Sequence, residues 1–240
     1  LKLHHLFFIV LILAGLAAGC GGGQTQVKIY HRFTNVVPDV TTADYYVNDG
    51  IHTPALAYLL SSTWVKLEDD ENWTFYDAYE GGTQNVLDSI AVQKQNKTST
   101  HVFALGFKTP GAQQPGVRLV PVTVQRTTPG GSNARLIWVH GYMRAAGTQT
   151  PNVDIYRTGK IAPEIEDIGF GQTRVGFLAA GTYTIDVRIA GAQFGNLFST
   201  TNVVLEAGKV YIVLLKGVEG EGGALTPAVV LIEEEINNDP

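Results

Sequence analysis

The sequence predicts an all-β protein: two tandem immunoglobulin-like β-sandwich domains behind a signal peptide. Three observations carry that expectation. Short motifs recur at an offset near 110 residues, close to the roughly 100 residues of one such sandwich. The apolar residues inside each copy alternate with period two or form short runs, and no segment carries helical periodicity. A short apolar stretch precedes the first copy.

That stretch runs from Leu6 to Leu16, Leu-Phe-Phe-Ile-Val-Leu-Ile-Leu-Ala-Gly-Leu. It is short of the roughly 20 apolar residues a spanning helix needs. It has the length of a signal-peptide core, roughly 7–15 residues, with Lys2 as the only fixed positive charge before it. Leu16-Ala17-Ala18-Gly19-Cys20 follows, and Cys20 is the chain's only cysteine. The small residues before Cys20 resemble a bacterial lipobox, with its leucine one place early. The resemblance implies cleavage before Cys20 and a diacylglycerol on its sulfur. Residues 1–19 are then the signal peptide, and 20–26 are the lipidated Cys20 with a glycine-rich tether. With no partner thiol in the chain, a disulfide is excluded. No Asp follows Cys20, which resembles an address for the outer membrane where the host has one. The expected location is the cell envelope, with the membrane as partner through the lipid.

Domain 1 is placed at 27–127, a linker at 128–133 (Thr-Pro-Gly-Gly-Ser-Asn) and domain 2 at 134–236. The repeat pairs Ile29-Tyr30-His31 with Trp138-Val139-His140, and Asp44-Tyr45-Tyr46 with Asp154-Ile155-Tyr156. It also pairs Ile51 with Ile161, Val65 with Val175, and Trp73-Thr74-Phe75 with Tyr183-Thr184-Ile185. Gly81 pairs with Gly191, Leu105 with Leu215, and Leu119–Val122 with Val229–Ile232. Domain 2 is the cleaner copy. Tyr183, Ile185, Val187 and Ile189 alternate with Thr184, Asp186 and Arg188, the mark of a half-buried strand. Gly181, Gly191, Gly208 and Gly217 punctuate the strands, giving about seven per unit.

Val139-His140, the loop to Pro151, Val153-Asp154-Ile155-Tyr156, Gly159 and the turn Ala180-Gly181-Thr182-Tyr183 resemble the family called domain of unknown function 4397. Domain 1 carries a degraded version in Tyr30-His31, Pro38, Asp44-Tyr45-Tyr46 and Gly50. The resemblance implies tandem immunoglobulin-like domains on a secreted or lipid-anchored protein, and it implies no activity.

The chain has 17 basic and 22 acidic residues, and removing Lys2 with the leader leaves 16 against 22, a net charge of −6. Nucleic-acid binding draws its affinity from basic residues, and no basic cluster exists, so that class is excluded. The recurrence of His31 with His140 and of Asp44 with Asp154 could orient a catalytic base. The other reading is that each histidine caps its first strand and bonds loop backbone. No nucleophile elbow accompanies the pairs, and the expectation is no catalytic residue and no cofactor. No Cys/His spacing fits zinc. Glu68-Asp69-Asp70-Glu71 lacks the spacing of a calcium loop, so no metal is expected.

The expected role is non-catalytic, a binding or spacer module with an envelope glycan or protein as partner. The alternative is carbohydrate or cell-wall glycan binding through domain 1 aromatics. Asp44 and Tyr46 share one strand face, as do Thr74 and Tyr76. The repeat alignment makes both faces outward, and Tyr46, Trp64, Tyr76 and Asp44 are the expected ligand-binding set. The same alignment turns Asp77 inward, where an unpaired carboxylate is costly. That misfit requires a bulge, a partner or an outlet to solvent. For the anchor, Cys20→Ser is expected to abolish labelling by radioactive palmitate and to release the protein from the membrane fraction. Persistent labelling would contradict it.

Overall fold

The structure is a computed structural model, and it describes residues 29–67, 71–82, 85–95 and 97–234. The expected signal peptide, Cys20, the expected tether, Glu68-Asp69-Asp70 and Glu235 lie outside the described residues. The first half contains β1 (Ile29–Val36), β2 (Thr42–Val47), β3 (Gly50–Ala57), β4 (Val65–Leu67), β5 (Trp73–Tyr79), β6 (Val86–Gln93), β7 (Thr98–Leu105) and β8 (Arg118–Gln125). The second contains β9 (Asn133–His140), β10 (Val153–Arg157), β11 (Ile165–Ile168), β12 (Thr173–Ala179), β13 (Gly181–Ile189), β14 (Asn196–Leu205), β15 (Val210–Lys216) and β16 (Ala228–Glu234). Among the described residues the only helical piece is a single 3-10 turn, Gly223–Leu225.

The two halves repeat one topology. Sheets β4-β1-β7-β8 and β3-β2-β5-β6 form the first sandwich, and β12-β9-β15-β16 and β11-β10-β13-β14 form the second. In each half the first and seventh strands pair in parallel, and the other pairs are antiparallel. Eight strands per unit exceed the seven expected. The strands that escaped notice are short or irregular. β11 carries Glu166 and Asp167, and Gly176 takes an inward position in β12 that an apolar residue would otherwise mark. A Cβ on Gly176 would lie 3.2 Å from Ile165 and 3.6 Å from the Trp138 indole nitrogen.

Each sandwich closes on its own core by period-two alternation. Leu136 and Trp138, Val153 and Ile155, Ile185 and Val187, and Tyr211, Val213 and Leu215 fill the second. Phe33, Ala43, Tyr45, Val47, Tyr76, Ala78, Val102 and Ala104 fill the first. A third core lies between the sandwiches. Phe103 and Leu105 on the back of β7 meet Val210, Ile212 and Leu214 on the back of β15, with Val120, Val122, Ile137 and Val139 around them. Every residue of β7 and β15 is therefore buried. The four sheets stack in one pile, and the central strands of the two inner sheets, β7 and β15, have no free face, while Val175 and Phe177 on the edge strand β12 stay 60% and 57% exposed.

The connection between the halves is tied down as well. Arg135 donates to the carbonyls of Gln125 and Thr127 at 3.0 and 3.1 Å, and Ala180 N–H donates to Ser132. Across the inner interface Arg118 lies over the Phe170 ring at 5.4 Å. The His101 ring is stacked on Phe103, and its Nδ1 meets Glu234 of β16 at 3.1 Å.

The repeat is real, but several of its expected matches slip in register. Asp44 and Asp154 do correspond. Asp44 accepts the N–H groups of Ala55 and Gly82 at 2.7 and 2.9 Å, and Asp154 those of Asp167 and Gly191, both at 2.8 Å. Ala55 and Asp167 both have positive φ, 52° and 51°, so the carboxylate holds a strained bulge in each copy. His31 does not correspond to His140. Asn35 does: its N–H donates to Leu60 and its carbonyl accepts from Leu59, as His140 does with Gln172 and Gly171. Gly82, not Gly81, matches Gly191 by its bond to the aspartate. Val65 pairs with His31 while Val175 pairs with Ile137, and Leu105 and Leu215 serve different cores. Ile161 sits in a loop, 98% exposed, while Ile51 is in β3. Matching like residues misplaced these because sheet geometry, not residue identity, fixes the register.

Leu214 is 1% exposed within the shared core. Leu214→Ala should cost about 2–5 kcal/mol in urea unfolding and shift the signals of both sandwiches together. Loss confined to the second sandwich would contradict one shared body.

Candidate ligand-binding face

The pile leaves two sheet faces open to solvent, one at each end. On the first, β5 decides what is presented. Tyr45 lies opposite Ala78 and Tyr46 opposite Asp77. Since Tyr45 is buried, Thr74, Tyr76 and Ala78 turn inward with it, and Trp73, Phe75, Asp77 and Tyr79 turn outward. This corrects the expectation for Tyr76. It is 1% exposed, and its ring sits 5.7 Å from Phe33 and 5.8 Å from His31. Burial pushes its hydroxyl up to about 12, against hydrogen bonds from Thr100 and Thr74. The expected alignment of Trp73-Thr74-Phe75 was one residue out, and a one-residue slip exchanges the two faces of a strand. The matching pairs are Phe75 with Thr184, Tyr76 with Ile185 and Asp77 with Asp186. Asp77 thus points away from the core, half-buried, and the misfit disappears.

Of the four expected ligand residues, Tyr46 alone lies on this face with its side chain available. Its ring meets Tyr79 edge-on at 5.0 Å. Asp44 is on the same face, but both carboxylate oxygens hold backbone N–H groups. Trp64 belongs to the other side of the sandwich, where Arg32 lies over its ring at 4.9 Å and His101 stands at 6.1 Å. Tyr46, Trp64 and Tyr76 therefore do not form one platform: one is outside the outer sheet, one beyond the inner sheet, and one between the sheets.

The face instead carries Trp73 and Phe75, which the expected repeat alignment turned inward, together with Ile51. Trp73 and Phe75 are 47% and 52% exposed and Ile51 56%. Ile51, Tyr46, Asp77 and Ser89 make one row across β3, β2, β5 and β6. Ala91 stands beside Phe75 and Gln93 beside Trp73. Burial, then the charges of Asp77, Tyr46 and Asp49, raises the Tyr79 hydroxyl above its ordinary value.

The opposite end of the pile has the same framework and different chemistry. Thr182, Thr184 and Arg188 stand where Trp73, Phe75 and Tyr79 do. Asp186 is bonded by the hydroxyls of Thr158 and Ser199 at 2.9 and 2.7 Å, and Arg188 covers Tyr156 at 4.1 Å. Among the described residues no hydroxyl or cation engages Asp77 in this way. An open hollow of about 510 Å³ lies by Asp154, Glu166 and Asp167, but Asp154 is occupied by backbone and Asp167 accepts from Asn152 at 2.7 Å.

Neither repeated aspartate bonds a histidine. His31 instead approaches His52, Nε2 to Nε2, at 3.3 Å, and His140 lies between Tyr142 and Phe170. Among the described residues no three His, Cys, Asp or Glu side chains could hold a metal, and no helix is long and apolar enough to cross a membrane. No protein-family model matches the sequence, and no curated protein matches it.

Burial lowers three imidazoles: His31 to about 3, helped by His52 and Lys94, His140 to about 4, and His101 well below its ordinary value, helped by Arg32. The unfolded chain takes up these protons below about pH 6.5 and the folded chain does not. The stability is therefore fully present above that pH and falls as the pH drops toward 4. His140→Asn, which copies Asn35, should reduce the slope of stability against pH between 4.5 and 6 by about 1 kcal/mol per unit. Urea midpoints across that range measure it, and an unchanged slope would show that His140 is already protonated when folded.

Proposed function

We propose that this chain is a lipid-anchored cell-envelope protein that binds rather than catalyses, and that the outer face of β3-β2-β5-β6 is its contact surface. The observation that carries this reading is the strip of exposed Trp73 and Phe75 with half-buried Tyr79 and Tyr46 beside them. Large aromatics left half in water on a regular sheet cost solubility and mark contact surfaces. The second copy shows that the fold does not require them, since Thr182 and Thr184 serve at the same places. The anchor rests on Leu6–Leu16 and Cys20. Membership of the domain of unknown function 4397 family is part of the same proposal, on the motifs at Val139-His140, Val153–Tyr156 and Ala180–Tyr183.

A purely structural spacer would need the rigid pile and no such strip. Detergent-solubilised full-length protein should be retained by isolated envelope fragments. Trp73→Ala with Phe75→Ala should weaken retention about 5- to 150-fold, from about 0.5–1.5 kcal/mol for each lost aromatic contact. Both side chains are half exposed, so the melting temperature should hardly move. Equal retention of wild type and double variant would remove this face as the contact surface.

A further inference from the structure

The chemistry of the strip narrows the partner, on the reading that this face is the contact surface. Along β5 the outward positions are Trp73, Phe75, Asp77 and Tyr79. Successive same-face residues are roughly 6.6 Å apart, so the line is roughly 20 Å long. Flat rings under a chain of this length suit repeated planar units, and pyranose rings present such a face of C–H groups.

Hydrogen-bonding groups are interleaved with the rings. Asp77 sits at the centre of the row Ile51, Tyr46, Asp77, Ser89, and Gln93 flanks Trp73. An apolar protein partner would seal Asp77 without a counter-charge, which is costly, and interface centres are depleted of charge. A hydroxyl-rich ligand supplies donors to that carboxylate at no such cost. The surrounding charge is negative. Asp77 and Asp49 act on Tyr79, and Lys108 is paired with Glu80. Lys94 follows β6 on the inward register and is close enough to lower the pKa of His31 in the core. A polyanion would meet repulsion here.

We propose that this face binds a linear, uncharged polysaccharide laid along β5. Trp73 and Phe75 stack on successive sugar rings, Tyr79 is braced edge-on by Tyr46, and Asp77 accepts hydrogen bonds from sugar hydroxyls.

Full-length protein in detergent is titrated with neutral chains (glucan, mannan, xylan and N-acetylglucosamine oligomers) and with anionic ones (polygalacturonate, alginate, heparin). Tryptophan fluorescence and calorimetry are the readouts. At least one neutral chain should bind, with an affinity that stays the same between 0.05 and 0.5 M salt. Trp73→Ala with Phe75→Ala should lose tenfold or more, and Asp77→Asn several-fold. Phe177→Ala, exposed on the second sandwich, should bind as wild type does. Saccharides released from purified envelopes, run beside the external polysaccharides, tell whether the chain is the cell's own. Binding to none of the neutral chains, preference for the anionic ones, or full binding by the double variant would each overturn the proposal. So would self-association of the wild type that the double variant abolishes. If the double variant loses envelope retention while no neutral chain binds, the contact face stands and the polysaccharide assignment falls.

Discussion

The back-to-back packing of β7 and β15 constrains everything else in this molecule. Phe103 and Leu105 on one side and Val210, Ile212 and Leu214 on the other exclude water between two complete sandwiches. Each such side chain gains roughly 1.5–3 kcal/mol by burial, so the sum far exceeds what the short connection at 126–132 could contribute. The centres of the inner sheets, β7 and β15, are thereby lost as binding surfaces. Chemistry directed at a partner must sit on the two outer sheet faces, on strand edges or on loops.

Duplication then supplies a comparison within one chain. The aspartate that pins the bulge is kept in both copies because its two backbone bonds are part of the framework. The outer faces are free of that constraint and have diverged. One satisfies its own polar groups, Asp186 through Thr158 and Ser199 and Arg188 through the Tyr156 ring. The other leaves Trp73 and Phe75 in water and Asp77 without such a bond. A face that satisfies itself has little to offer a ligand, and one that does not is where a ligand gains most.

The β class, the duplication and the inward side of β2 were legible in the sequence, since alternation and turn glycines depend on local geometry. The inner interface was legible too, though only by a different rule. His101–Leu105 and Val210–Leu215 are unbroken by any exposed residue, the pattern of strands buried on both faces. The phase of β5 is masked in the sequence, because Thr74 is less apolar than the Trp73 and Phe75 that flank it and the repeat alignment is one residue out there. Hydrophobicity alone puts the wrong residues inside. Asp77 held the correction: once a carboxylate is required to face out, Trp73, Phe75 and Tyr79 must follow it. His31 and His140 misled through identity. A histidine in the core of one copy and one at the strand end of the other share a letter and no position, and only the paired backbone bonds of Asn35 and His140 reveal it.

One shared core makes the two sandwiches a single body and closes its middle to any partner. Native-state hydrogen exchange measures this directly. Amides of β7 and β15 should exchange only through global unfolding, with the same opening free energy and the same response to denaturant. Exchange of one sandwich at a distinctly lower free energy than the other, with the strands of the second still fully protected, would contradict the account.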